Sequence, residues 1–498
     1  MSSSIVGLLV ALAGGGLGSA SAAAAVAQSP VTSAGADIKW HAPSQTSVSN
    51  LTEALHGSGV FGFIFNSSAT PDDEYGIYNW CNMPHVRRSE YLQPKPEFEL
   101  RFVELIHRHH KRTPYASNAF PVEPYPWDCH DARVFHYGQP AGRPEPARVY
   151  HEASMSPVNP FRPSGWTGSC AFPQITAQGL LDSWQHGVDL YHVYHGLLGL
   201  LPARDADFRS AVRYRVTNNV ITSQVAGMVI SGMWQTTDPF PLIVQPEGVD
   251  SLEPQYNCRA ASSWFNAIKS GSNPQWQQHL EASADLFRTL DDISGVRPND
   301  TGFHASFDHY YDNLSARQCH AKPLPCRLVG GFNSSTCVTQ GLADAVYRMG
   351  NWEYGHIYRH HPASLAASAA SLGVWVGELT THLRDFMAGS TDVVYYHNVA
   401  HDGSLSRLLS ILQLDEMVWP GMGAEVVFEL YKRRAGQKLQ QSQPTSNYYL
   451  RVLFGGRPLK SSNPTLGSMD MTPIETVLEY LDGLVGTGAD MVKSWCQE

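Results

Sequence analysis

An α/β fold is the class this sequence predicts, because three strand-like runs, far apart in the chain, each end in histidine- or arginine-bearing residues. Residues 100–106 are largely apolar, with β-branched and aromatic members, and run into Arg108-His109-His110-Lys111-Arg112-Thr113-Pro114. Residues 211–216 alternate Val212, Tyr214 and Val216 and carry Arg215 near their end. Residues 393–396 lead into His397 and then His401-Asp402, followed by an amphipathic run over 405–412. Ligands of open α/β sheets sit beyond the carboxyl ends of strands, near the helix that follows. One crevice would then gather Arg108, His109, Arg112, Arg215, His401 and Asp402, a set suited to moving a phosphoryl group.

The remaining elements follow from periodicity and breakers. Residues 1–27 read as a secretory signal, with an apolar stretch at 5–13 and Ala25-Val26-Ala27 before Gln28, although the leading residues lack Lys and Arg. A Ser/Ala/Gly-rich stretch over 28–37 precedes a strand-like run at 60–65 and a polar loop at 67–97. Residues 114–172 are irregular and rich in Pro, Tyr and Trp. Helical spacing begins at Thr176 and lasts to Leu201-Pro202, and 221–234 reads as a buried helix. After a breaker zone at 239–254, helical segments cut by Asn, Gly and Pro fill 255–347, the pattern of an α-helical subdomain. Residues 365–387 form a long helical pattern, and 426–431 and 448–454 read as closing strands, with Gly455-Gly456 as a turn. The resulting organisation is a signal at 1–27, a core in two parts (28–254 and 351–498) and an inserted helical cap at 255–350.

Composition narrows the function classes. Of 498 residues 43% are hydrophobic, ample for a core, while 42 Gly and 32 Pro imply many loops. The formal charge of −10 argues against a nucleic-acid partner, since a phosphate backbone would be repelled. No apolar run approaches the ~20 residues a spanning helix needs, so no membrane partner is expected. The C-terminus at 492–496 is not the apolar tail of a lipid-anchor signal. Eight cysteines without a CxxC pair, behind an apparent signal, favour disulfides, with a local staple among the three within 319–337. Sequons stand at Asn50, Asn66, Asn299, Asn313 and Asn333. Together these features predict a secreted chain, extracellular or in the cell wall.

Arg108 to Pro114 resembles the RHGxRxP signature of the histidine acid phosphatases, the branch that holds acid phosphatases and phytases. Ile175-Thr176-x-x-Gly179 with the helix ending in Leu200-Leu201-Pro202, then Arg215-Val216-Thr217, His401-Asp402 and Trp419-Pro420 through Tyr431, resemble further segments of that family in its order. The likeness covers roughly residues 98–455 and is nearest to fungal secreted members. It implies a mostly parallel central sheet flanked by helices, of phosphoglycerate-mutase-like type, with an active crevice between core and cap. It also implies His109 as the nucleophile, giving a phosphohistidine. His401 would add a donor to the phosphate, and Asp402 would serve as the acid and later the base.

The residue chemistry agrees. A phosphomonoester carries close to two negative charges near neutrality, and Arg108, Arg112 and Arg215 supply planar donors that stay charged. Neighbouring arginines disfavour a proton on His109, so it should remain a free base in acid. The guanidinium groups occupy the role a divalent ion has elsewhere, so no cofactor or metal is called for. A metal cluster of His107, His109 and His110 lacks both the i, i+4 helical spacing and a carboxylate pattern. His107 and His397 read as structural neighbours, and Asp128 and Asp131 as turn residues.

Two departures stand out. His110 occupies the place of the family's glycine, where a β-carbon could disturb a tight backbone path. Ile221 stands where relatives carry a further arginine. The expected function is a secreted acid phosphatase acting on small phosphomonoesters. The alternatives are a phytase, or a phosphate-ester-binding relative impaired by His110. Phytate would demand a basic cap, and 255–350 holds few Lys and Arg. The sequence leaves open whether the chain forms a homodimer.

Overall fold

The computed structural model describes residues 36–60, 79–122, 126–135, 138–139, 142, 147–161, 167–434 and 446–497. The signal reading, most of the run at 60–65 and the sequon at Asn66 lie outside the described residues.

The three strands read from the sequence become neighbours in one eight-stranded sheet. Its members are β1 (Phe98–Arg108), β2 (Val212–Val216), β3 (Ile243–Val244), β4 (Tyr395–Ala400), β5 (Glu425–Arg433), β6 (Tyr448–Phe454), β7 (Arg457–Pro458) and β8 (Thr472–Pro473). The order is β7-β6-β5-β1-β4-β2-β3, with β8 pairing β6. The half that carries the candidate residues is parallel: β1 with β4, β4 with β2, and β2 with β3. Beyond β1 the pairing turns antiparallel through β5 to β6.

Alternation along β1 sends Phe102 and Ile106 to one face and Val103 and Leu105 to the other. The second face packs α1 (Ala177–Tyr194) and α2 (Val220–Trp234). The first packs α4 (Ala363–Ala388), α5 (Asp402–Ile411) and α6 (Ile474–Val485). A third apolar cluster, including Trp80, Phe265, Phe287, Phe307, Tyr311 and Trp352, belongs largely to the helices between residues 259 and 355. Among these is α3 (Asp308–Cys319). The α/β architecture is therefore a sheet covered by helices on both faces, with its charged strand ends left free for chemistry.

The eight cysteines pair as Cys81–Cys319, Cys129–Cys170, Cys258–Cys496 and Cys326–Cys337. The local staple exists at 326–337, while Cys319 reaches back to Cys81 beside Trp80. Among the described residues no helix is long and apolar enough to cross a membrane. Of the four described sequons, Asn313 is buried and holds Arg317 and the Asn118 carbonyl, so in the fold it offers no glycan site.

Candidate active site

Parallel pairing of β1 with β4 ends at Arg108 opposite Ala400, so residues 109–112 and 401–402 leave the sheet side by side. β2 lies on the other side of β4, with Val216 opposite Val399, and delivers Thr217 next to His401. The Thr217 hydroxyl and His401 Nε2 are 3.0 Å apart. Beyond these strand ends opens a pocket of about 370 Å³, lined among others by His109, Arg112, Glu253, Asp308, His401, Asp402, Arg407 and Trp419.

His109 is buried, and its Nδ1 donates to its neighbour's backbone carbonyl, that of His110, at 3.0 Å. A carbonyl only accepts, so Nδ1 carries the proton and Nε2 keeps its lone pair. Burial, then the charges of Arg112, Arg108 and His401, hold the His109 pKa well below the ordinary histidine value. The His401 ring lies 5.4 Å from that of His109, centroid to centroid. Burial pushes His401 down to about 4, with Asp402 opposing and Arg108 and Arg112 assisting.

Both arginines are clamped from behind. Arg108 donates to the Pro420 carbonyl at 2.7 Å and pairs with Asp402 at 3.0 Å. Arg112 donates to the Thr113 carbonyl and meets both oxygens of Asp312, at 3.0 and 3.3 Å. Each guanidinium still has a buried Nε without a protein acceptor among the described residues. Buried unmatched donors of this kind are costly unless something fills the site.

Two of the pocket's four carboxyls, Asp402 and Asp308, are pushed apart. Burial would raise Asp402, but Arg108, the Trp419 indole N–H at 2.6 Å, Arg112 and His401 outweigh it, and Asp402 stays below the usual carboxylate range. Asp308 has no hydrogen bond or ion pair from its carboxyl among the described residues. Asp308 is an exposed residue, yet the protein packed around its carboxyl in the pocket, then Asp312, Asp402 and Glu353, against Arg112, raise it to about 7. Glu253 is likewise raised to about 7 by burial and Asp250.

Arg215 corrects the sequence expectation. Period-two alternation in β2 buries Val212, Tyr214 and Val216 and turns Arg215 to the opposite face. There it pairs with Asp250 at 3.0 Å and Glu378 at 2.7 Å, away from the pocket lining. Its charge is already matched. Replacing Arg215 with alanine should therefore leave turnover nearly intact but strand the fully buried Asp250, costing about 3 kcal/mol of stability. Denaturant unfolding and a rate assay on one preparation check both halves.

His110 does not enter the pocket. Its side chain is fully buried, near Ser183 and His186, and its backbone is not left-handed. The extra side chain is housed inward, where Gly423, at φ +71°, leaves it room; a β-carbon there would stand 2.8 Å from His110 Nε2. Gly179 has a comparable constraint, since a β-carbon would meet the Lys111 carbonyl oxygen at 2.0 Å. Ile221 lies in the apolar core.

Asp308, Asp312 and Arg407 are pocket residues that sequence reasoning missed. Asp308 and Asp312 stand four apart on α3, so one helical face carries both acids. That i, i+4 spacing was legible, but nothing in it marks the face as meeting Arg112. Arg407 follows Asp402 on α5, donates to the Ser371 hydroxyl and the Gly403 carbonyl, and lies over Phe265.

No family model matches the chain, and no curated protein matches it in sequence. Solved structures resemble it in fold. The phytase of Klebsiella sp. ASR1 shares 15% identity at TM-score 0.48, covering 80% of this chain and 96% of that one. The phytase of D. castellii shares 13% at 0.44, covering 90% and 88%. The multiple inositol polyphosphate phosphatase of Bifidobacterium longum, solved with phosphate, shares 11% at 0.46, covering 78% and 93%. With TM-scores below 0.5, none of the three fixes an activity for this chain.

Proposed function

We propose that the chain is a secreted acid phosphatase that passes the phosphoryl group of small monoesters through His109. The observation that carries this reading is a neutral imidazole of fixed tautomer that shares one pocket with the rigidly backed Arg112 and feels the charge of Arg108, itself held by Asp402. Arg108 and Arg112 grip the phosphate oxygens with their free N–H groups, and His401 borders the same space. His109 Nε2 attacks phosphorus in line. The N–P bond forms as the P–O bond to the leaving group breaks, and an acid gives that oxygen its proton. Water then loses a proton to the carboxylate and attacks phosphorus, releasing phosphate and restoring the imidazole.

Asp402 is the proposed proton donor. In the free protein it is ion-paired; phosphate oxygens that take over Arg108 remove its main stabilising charge and raise its affinity for a proton. A second reading is favoured by one observation: Asp308, raised to about 7, already holds a proton in acid and lines the same pocket. Four carboxyls (Glu253, Asp308, Asp312, Asp402) share the lining with two arginines, Arg112 and Arg407, which suits one phosphate rather than the six of phytate. The segment 255–350, which supplies Asp308 and Asp312, is proposed as the cap that selects the leaving group. The four disulfides support secretion.

A panel of phosphomonoesters at acidic pH tests the reading. Aryl and sugar phosphates should turn over well and phytate much more slowly. Absence of hydrolysis across the panel would overturn it.

Stability carries its own pH signature. Asp308 and Glu253 rise from 3.8 and 4.5 to about 7, so between about 4 and 7 the folded chain binds protons that the unfolded chain releases. Their contribution to stability therefore falls as pH climbs through that window. An Asp308→Asn variant should show a shallower decline in thermal midpoint over the same interval. Parallel curves for variant and wild type would contradict the assignment.

A further inference from the structure

The inward turn of His110 brings it to histidines that the proposed reaction does not use. His107, His110, His186 and His397 are all buried, and they come from β1, the loop after it, α1 and β4. Three of them hold one ring nitrogen against a partner that can only accept. His107 Nδ1 donates to the Arg108 carbonyl at 2.8 Å. His186 Nε2 donates to the Glu425 carboxylate at 3.0 Å. His110 Nδ1 lies 3.1 Å from the Ser183 hydroxyl, whose own proton goes to the Gly179 carbonyl at 2.6 Å. These nitrogens therefore carry the ring protons, and His107 Nε2, His110 Nε2 and His186 Nδ1 are left with lone pairs.

One nitrogen from each of the three rings lies within 4.8 Å of the others. Without an ion, His397 Nε2 can donate to His107 Nε2 at 2.8 Å while the Tyr395 hydroxyl serves its Nδ1; a cation would take over that lone pair of His107. His110 Nε2 and His186 Nδ1 remain, two acceptors facing each other at 3.3 Å with no donor between them. Buried acceptors left in that state are destabilising, and either a proton or a metal cation would resolve it.

We propose that His107, His110 and His186 supply three ligands of a structural site for a divalent transition cation, with zinc the best fit. Zinc–imidazole bonds of about 2.0–2.1 Å set tetrahedral ligands roughly 3.3 Å apart, the separation seen for His110 and His186. Imidazole is a favoured zinc donor, and a carboxylate behind a ligating histidine, as Glu425 stands behind His186, orients the ring and strengthens it as a ligand. The ion would tie the end of β1 to α1 immediately behind the His109 loop. Such a site is invisible at residues 107–110 alone, because the third ligand stands 76 positions from His110.

The test uses the full chain produced with zinc in the medium. Elemental analysis should find about one zinc per chain. Protein refolded with Co²⁺ should show the visible bands of a four-coordinate, nitrogen-ligated ion. Glu425→Gln should weaken zinc binding about 10- to 100-fold against a competing chelator. His110→Gly should lose the ion while circular dichroism reports a folded chain. Folded wild-type protein without zinc and without a Co²⁺ spectrum overturns the proposal, as does unchanged zinc in folded His110→Gly. Should either variant fail to fold, the wild-type metal content and spectrum decide alone.

Discussion

Replacing His109 with alanine should reduce phosphomonoester turnover by a factor on the order of 10⁴–10⁶, the scale seen when a covalent nucleophile is removed. The loss is chemical rather than structural. The hydrogen bond that His109 gives up is one Nδ1–H to its neighbour's carbonyl, and the backbone at 109 remains held by the Ala400 carbonyl. Phosphate and vanadate should therefore still bind through Arg108 and Arg112. Retained turnover in His109→Ala would move the nucleophile elsewhere, while lost oxyanion binding would mean the variant had disturbed the pocket itself. Measuring the rate and the oxyanion affinity on one preparation separates these outcomes.

The second large effect concerns the proton given to the leaving group. Asp402→Asn should slow alkyl phosphates about 10²- to 10⁴-fold and activated aryl phosphates far less, because only a poor leaving group needs a proton in the transition state. Asp308→Asn is the necessary companion. If Asp308 were the donor, its variant would show the leaving-group contrast, and the wild-type rate on alkyl esters would fall as pH rises through about 7. Equal slowing of both ester classes in Asp402→Asn, with the contrast appearing in Asp308→Asn, would transfer the role. The two carboxyls differ in what surrounds them: an arginine and an indole N–H hold one ionised, and the protein around the second, with its neighbouring acids, raises its pKa to about 7.

Much of the sheet was legible because its central strands are buried on both faces and read as apolar runs. Residues 100–106, 211–216 and 426–431 lie within or overlap β1, β2 and β5. For the third run, 393–396 led into β4, which continues through His397 and Asn398 to Ala400. That extension was hidden because polar residues fill it, satisfied by partners distant in sequence: His397 by His107 and Tyr395, and Asn398 by Glu104 and the Leu105 carbonyl. The closing helix Ile474–Val485 and the hairpin between Cys326 and Cys337 were not read at all.

The same distinction runs through the site. Arg108, His109, Arg112, His401 and Asp402 meet because each stands at or just past the end of β1 or β4, and strand ends can be read locally. Arg215 also sits on a strand whose alternation sets its face, but that this face meets Asp250 and Glu378 depends on residues distant in sequence. Asp308 and Asp312 reach the pocket from a helix whose docking is set by the packing of Tyr310, Tyr311 and Leu314. Long-range pairing of this kind leaves no short pattern in the sequence.

The central claim is a covalent bond between phosphorus and Nε2 of His109. Rapid acid-free quenching of the purified chain with a ³²P-labelled aryl phosphate, followed by peptide mapping, tests it directly. The result expected is up to one phosphoryl group per chain, stable to base and labile to acid, on the peptide containing His109. Steady hydrolysis with no labelled peptide, or with the label on another residue, would contradict it.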